Sequence, residues 1–234
     1  MLKVENVSAA YGQSPVLFGV NLDVADAEAV TLIGRNGVGK TTLMRTIMGL
    51  HPVSSGGVRL NGEQVEQEPA FVRARGGLAF VPQGRGLFPH LSVHENLLMG
   101  LPALSTRETA KKEIPELVYD LFPICRDMAG RKAGNLSGGQ QQQVAIGRAL
   151  VTQPKYLLLD EPTEGIQPSI VQEIEAALTR IRRELRVAVL LVEQYLDFAW
   201  AFAERYYVLQ RGVIVESGHT ARTAQADVQR YMSV

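Results

Sequence analysis

A chain of 234 residues that is 46% hydrophobic is long enough for one large domain, or a domain with a sizeable insertion, without covalent staples. Its 24 basic and 24 acidic residues cancel, which argues against a surface that is one nucleic-acid footprint. Cys125 is the only cysteine, so an intrachain disulfide is excluded and a reducing compartment is expected. The longest apolar runs, such as Val187 to Val192, fall far short of the roughly 20 residues that span a bilayer, and Met1-Leu2-Lys3-Val4-Glu5 lacks the pattern of a secretory leader. Any membrane association is expected to come through a partner.

Leu2, Val4 and the stretch Val16 to Val24 read as β, separated by the turn residues Gly12, Gln13 and Ser14. The apolar run Ala29 to Ile33 then leads into Gly34-Arg35-Asn36-Gly37-Val38-Gly39-Lys40-Thr41, which fits G-x-x-x-x-G-K-[ST], and Leu43, Ile47 and Leu50 follow at helical spacing. Strand, loop and helix is the setting that a phosphate-binding loop requires. Gly34, Gly37 and Gly39 let backbone N–H groups turn inward around a triphosphate, and the helix start adds partial positive charge. Lys40 supplies a full charge, and the Thr41 hydroxyl can ligate the Mg²⁺ that bridges the outer phosphates. Asn36 and Thr42 complete the expected cradle.

Val58-Arg59-Leu60 followed by Asn61-Gly62 is a strand with a tight-turn signal, and Leu78 to Val81 is a buried strand ending at Pro82. From about 90 to 150 the pattern is helical; Ser92-Val93-His94-Glu95 and Ser105-Thr106-Arg107-Glu108 both fit capping boxes. Ser137 is the predicted N-cap of a helix through Ala145 and Ala149, where free N–H groups and Gly138-Gly139 make a second anion site. The strand Tyr156 to Leu159 delivers Asp160 and Glu161 at its C-terminal end, where open α/β sheets bind ligands. Because successive strand residues point to opposite faces, the two acids are assigned different jobs: Asp160 in the Mg²⁺ shell, Glu161 polarising the attacking water. A helix after Pro168, a strand at Val187 to Val192, a helix through Trp200 and strands at Tyr206 to Leu209 and Val213 to Val215 follow. This alternation implies a mainly parallel sheet with right-handed crossovers.

The phosphate loop at 34–41, Val81-Pro82-Gln83, Leu136-Ser137-Gly138-Gly139-Gln140 and the Asp160-Glu161 pair, in that order, resemble the nucleotide-binding subunit of an ABC transporter over nearly the whole chain. The resemblance implies a P-loop NTPase fold: a single ABC ATPase domain over 1–234, mainly parallel α/β with an antiparallel β portion and a helical subdomain inserted at about 84–150. It implies ATP and Mg²⁺ as cofactors, Tyr11 stacked on adenine, Gln83 reaching both Mg²⁺ and the attacking water, and the segment beyond Gln83 facing a membrane subunit. Two subunits would pack head to tail, the phosphate loop of one facing Ser137 and Gly139 of the other. More narrowly, Leu136 to Ile170, with Gln140 to Gln143 and Glu161 to Pro168, resembles the ATPases of urea and short-chain amide importers within the branched-chain amino-acid uptake group. The implied partners are permease subunits, a second ATPase subunit and, indirectly, a periplasmic binding protein, with the chain on the cytoplasmic face of the membrane. No nucleic-acid partner is expected.

The chain departs from the commoner pattern at Gln194, where most of the superfamily has a histidine that contacts the γ-phosphate, and at Gln167, where many members have an aspartate. Both departures suit a heterodimer in which a related subunit complements this one. An ATPase of a lipid or lipopolysaccharide exporter, or a soluble ABC ATPase, shares the nucleotide motifs; the stretch 161–170 favours the importer.

Overall fold

The computed structural model describes residues 1–101 and 113–232; the predicted capping box at Ser105 to Glu108 lies outside them. The strands β1 (Leu2–Tyr11) and β2 (Ser14–Val24) form a hairpin, β3 (Ala29–Ile33) runs through the phosphate loop into α1 (Lys40–Met48), and β4 (Ser55–Leu60) turns through Asn61-Gly62 into β5 (Glu63–Gln64). After α2 (Ala70–Arg75) and β6 (Leu78–Val81), the helices α3 (Val93–Leu98), α4 (Glu116–Leu121), α5 (Ile124–Asp127) and α6 (Gly138–Val151) follow. The order closes with β7 (Tyr156–Asp160), α7 (Pro168–Leu185), β8 (Ala188–Glu193), α8 (Leu196–Phe202), β9 (Arg205–Gln210), β10 (Val213–His219) and α9 (Gln225–Gln229).

These strands make two sheets, an antiparallel one in the order β2-β1-β4-β5 and a larger one in the order β10-β9-β3-β8-β7-β6. In the larger sheet β9, β3, β8, β7 and β6 are all parallel, and only β10 at the edge runs against its neighbour. Helical crossovers bury both faces of such a sheet, so its strands read as continuous apolar runs. Each of the five residues of β3 and of β7 is buried.

Strand alternation divides the core. Val30, Leu32, Leu158, Leu190 and Val192 pack with α1 and the antiparallel sheet. Leu157, Leu159, Val189 and Leu191 pack with α3 to α8 on the other face. The parallel sheet is therefore a central layer, and its strand ends open onto the loops that carry the motifs. Ser92 caps α3 with the expected reciprocal box, its hydroxyl accepting from the Glu95 N–H and the Glu95 carboxylate from the Ser92 N–H. Proline at 115 and 123 sits at the N-caps of α4 and α5, and Pro123 also stops α4 from running on. No helix among the described residues is long and apolar enough to cross a membrane.

Cys125 is buried in the helical layer, where it faces Gly147 of α6, and burial pushes its thiol up to about 12. At neutral pH it is a protonated, inert core group. Iodoacetamide is expected to leave the folded chain unmodified and to alkylate one cysteine after denaturation, read by mass spectrometry; rapid labelling of the native chain would contradict this packing.

Candidate nucleotide site

The phosphate loop is built where β3 ends. A Cβ on Gly34 would sit against the Leu209 carbonyl oxygen of neighbouring β9, so the loop leaves the sheet in contact with another backbone. Gly39, the N-cap of α1, takes φ 111° and a Cβ there would lie 2.8 Å from Leu17 Cδ2. Both the left-handed backbone and the close approach of β2 demand glycine. Lys40 is 5% exposed. Its Nζ donates to the carbonyls of Gly34 at 2.7 Å and Arg35 at 3.0 Å and lies 3.7 Å from Glu161 Oε1. Burial holds its pKa below the ordinary lysine value, and the nearby Glu161 and Asp160 oppose that shift.

Asn36, Gly37, Gly39, Lys40, Thr41, Thr42, Gln83 and Glu161 line one cavity of about 380 Å³. Val16 of β2 also lines it, a contribution that sequence reasoning missed because nothing local marks a strand residue as facing a loop so near in space. Tyr11 does not line this cavity. It ends β1, half exposed, with its ring 4.2 Å from that of His51 and tilted by 35°.

Asp160, the last residue of β7, is 1% exposed and neither carboxylate oxygen has a hydrogen-bond partner. Burial pushes its pKa up, while the Thr41 hydroxyl is near enough to favour the ionised form without making a hydrogen bond of normal geometry. An orphaned buried carboxylate is costly unless a cation meets it. Among the described residues no group of three or more His, Cys, Asp or Glu side chains is arranged to hold a metal. One carboxylate and one hydroxyl fit Mg²⁺, which takes its remaining oxygens from phosphates and water.

Glu161 reaches the cavity by a route that strand alternation does not describe. The β7 ladder ends at Asp160, and Glu161 turns off the strand with φ 50°, its N–H donating to the Val192 carbonyl at 2.9 Å. Left-handed backbone at a non-glycine residue costs roughly 1 kcal/mol or more. The turn delivers the carboxylate to a set of donors: Gln194 Nε2 donates to Oε1 at 2.6 Å, and Gln83 Nε2 donates to Oε2 at 3.1 Å and to Glu164 Oε2 at 3.0 Å. A carboxylate so placed can accept a proton from, or orient, a water in the cavity. Two glutamines far apart in sequence thus converge on one side chain.

Ser137 caps α6, its hydroxyl accepting from the Gln140 N–H at 3.3 Å while Gln140 Oε1 accepts from the Ser137 N–H at 3.0 Å. Gly138 packs against the Arg85 guanidinium, and a Cβ on Gly139 would lie 2.6 Å from Ile170 Cγ2 of α7. None of residues 136–140 lines the phosphate-loop cavity, so one chain carries the two glycine-bearing helix starts apart. Sequence reasoning also missed Arg85. It takes φ 72° and donates to Gln141 Oε1 at 3.2 Å and to the Glu164 carbonyl at 3.4 Å, joining the Gln83 loop to both α6 and the loop after Glu161.

A phosphate loop at the head of a buried helix, acids at the end of a parallel strand two places along the sheet and a separate capped helix start define a nucleoside-triphosphate-hydrolysing cassette. Residues 17–164 match the family model described as ABC transporter. The chain is 43% identical over 215 residues to the high-affinity branched-chain amino acid transport ATP-binding protein BraG of Pseudomonas aeruginosa, covering 92% of this chain and 91% of that protein. It is 35% identical over 218 residues to the probable branched-chain amino acid transport ATP-binding protein LivF of Archaeoglobus fulgidus, covering 93% and 92%. A spermidine/putrescine import ATP-binding protein, PotA of Pseudomonas fluorescens, is 39% identical over 223 residues, but the chain spans only 60% of its length. The ATP-binding cassette MJ0796, solved as a post-hydrolysis dimer with ADP and Pi, superposes with a TM-score of 0.82 at 29% identity, over 94% of this chain and 99% of that one. The chain belongs to the ATP-binding subunits of the ABC transporter family, which hydrolyse ATP.

Lys40→Ala removes the buried cation from the phosphate-loop cavity. Charged hydrogen bonds contribute about 1.5–3 kcal/mol each, so titration with labelled ATP should show at least about a tenfold loss of affinity. Unchanged binding would separate residues 34–41 from the nucleotide.

Proposed function

We propose that this chain is the subunit that powers import of a small solute through a multi-subunit ABC transporter by hydrolysing ATP at a site shared with a second ATPase subunit. The observation that carries this reading is the convergence of Lys40, Gln83 and Gln194 on Glu161 beside the phosphate-loop cavity, while Ser137 and Gly139 lie away from it. In this reading Glu161 accepts the proton of the attacking water, Gln83 and Gln194 orient its carboxylate, and Lys40 neutralises the outer phosphates. Thr41 and Asp160, with Gln83 beside them, would hold Mg²⁺, which supplies charge neutralisation across the β- and γ-phosphates. Asn36, Gly37, Gly39 and Thr42 cradle the phosphates, and Tyr11 provides an aromatic face for the adenine. Ser137 to Gln140 close over the nucleotide of the partner subunit.

The partner is proposed to be a related but different ATPase. Gln194 offers a neutral amide where a histidine could carry charge, so its γ-phosphate contact is the weaker kind. For the permease, a groove of about 560 Å³ runs beside the site and is lined by Met48, Leu50, Phe80 and Pro82 together with Thr41 and Gln83. A permease segment seated there would touch the residues that touch the nucleotide, which supports coupling through the Gln83 loop that leads into a helical subdomain at about 84–150. The chain would thereby sit on the cytoplasmic face of the membrane.

For the solute, BraG and LivF support branched-chain amino acids. The stretches Gln140 to Gln143 and Glu161 to Pro168 favour a second reading, urea or a short-chain amide. Uptake of labelled leucine and labelled urea by cells with and without the gene separates the two, and uptake of both at the wild-type rate in its absence contradicts the importer.

Glu161→Gln should keep ATP affinity and lose turnover by on the order of 10²-fold or more, the size of a general-base contribution. Gln194→Ala should lower turnover of the assembled transporter only a few-fold, since one ordinary hydrogen bond contributes about 0.5–1.5 kcal/mol. Steady-state ATPase rates measure both, and near-normal turnover of the Glu161 variant would remove it as the base.

A further inference from the structure

Glu193, the last residue of β8, is 3% exposed, and its carboxylate accepts four hydrogen bonds. Oε1 takes the Thr163 N–H at 3.0 Å and the Thr163 hydroxyl at 2.7 Å. Oε2 takes the backbone N–H groups of Gln194 at 3.0 Å and Tyr195 at 3.2 Å. One side chain therefore ties the residue two past Glu161 to the loop that carries Gln194. Its neighbours act on the same turn, for Val192 accepts the Glu161 N–H and the Gln194 amide donates to the Glu161 carboxylate. Three consecutive residues of β8 and its exit thus hold the backbone, the side chain and the following loop of Glu161.

We propose that Glu193 is a positioning residue for ATP hydrolysis, an ionised clamp that locks the 161–163 turn and the Gln194 loop into the one arrangement in which Gln194 meets Glu161. This rests on Glu161 being the group that acts on the attacking water. The clamp needs a carboxylate because each oxygen faces at least one backbone N–H, which can only donate. A glutamine, in either flip, turns an NH₂ donor toward one of those N–H groups and leaves that side unsatisfied. Burial pushes the Glu193 pKa up, and the four hydrogen bonds it accepts oppose that shift.

The test uses the transporter assembled with this chain as wild type, Glu193→Gln, Thr163→Val and Glu161→Gln. Three quantities are read: amide hydrogen exchange, ATP affinity and ATPase turnover at saturating ATP. In Glu193→Gln the amides of Thr163, Gln194 and Tyr195 should exchange at least about tenfold faster while those of residues 34–41 are unchanged. ATP affinity should stay within about twofold and turnover should fall roughly ten- to a hundredfold, the scale of a misplaced reacting group. Thr163→Val, which keeps the Thr163 N–H, should show a smaller drop in turnover at unchanged affinity. Wild-type turnover in Glu193→Gln overturns the clamp, as does a parallel loss of affinity and turnover, which marks general damage to the fold. If Glu193→Gln does not fold, Thr163→Val decides alone, with undiminished turnover overturning the proposal. Glu161→Gln keeps the two ideas apart: full activity there removes the reading of Glu161, whereas an inactive Glu161→Gln beside a fully active Glu193→Gln removes only the clamp.

Discussion

Lys40, Asp160, Glu161 and Glu193 are each less than a tenth exposed and gather where β3, β7 and β8 end. Taking such charges out of water costs several kcal/mol apiece unless partners replace the lost hydration. The loops around them are shaped by that demand. Residues 34–35 bend their carbonyls onto Lys40, residue 161 accepts a left-handed backbone to bring its carboxylate to two glutamine donors and within 3.7 Å of Lys40, and the 163 and 194–195 loops aim their N–H groups at Glu193. Asp160 stands apart, with neither oxygen hydrogen-bonded. A site in which every charge but one is compensated by the protein is electrostatically unfinished, and the unfinished position lies beside Thr41, where the proposed Mg²⁺ would complete it.

Much of this was legible in the sequence because each legible feature is local. The apolar run Ala29 to Ile33 is β3 residue for residue, Leu78 to Val81 is β6, and Ser137 caps its helix. Buried strands, glycine-dependent loops and side-chain caps are all decided within a few residues of the chain. What was not legible depends on residues remote in sequence. Strand alternation separates Asp160 from Glu161 correctly in effect but for a different reason, since Glu161 has already left the strand. Glu193 reads as an unremarkable polar end to an apolar strand until Thr163 is folded against it. Arg85 reads as a loop cation until Gly138 and Glu164 surround it.

Arg85 also bears on how the separated elements communicate. Gln83 touches Glu161 and Glu164, and two residues later Arg85 touches the Glu164 carbonyl and Gln141, with its guanidinium where a Cβ on Gly138 would lie 2.9 Å away. Arg148 of α6 adds a bond back to the Arg85 carbonyl at 3.4 Å. A displacement of this short loop is therefore felt both at the proposed water-activating carboxylate and at the helix start that would face the partner's nucleotide. Contiguous contact of this kind offers a route along which such a displacement can travel. The groove that shares Gln83, lined by Arg45 as well as Met48, Leu50, Phe80 and Pro82, is where the proposed permease segment would apply such a displacement.

Gln194 decides what kind of chemistry these contacts can support. A histidine in its place could take up a proton and become a cation beside Glu161, whereas glutamine donates one N–H and stays neutral at every pH. Its 2.6 Å bond to Oε1 therefore orients the carboxylate without contributing charge, and the positive charge facing Glu161 comes from Lys40 at 3.7 Å. Lys40 is also the cation that a triphosphate draws toward itself. In the proposed site the phosphates would share this lysine with Glu161, which leaves the two glutamine amides as the contacts that hold the carboxylate in place.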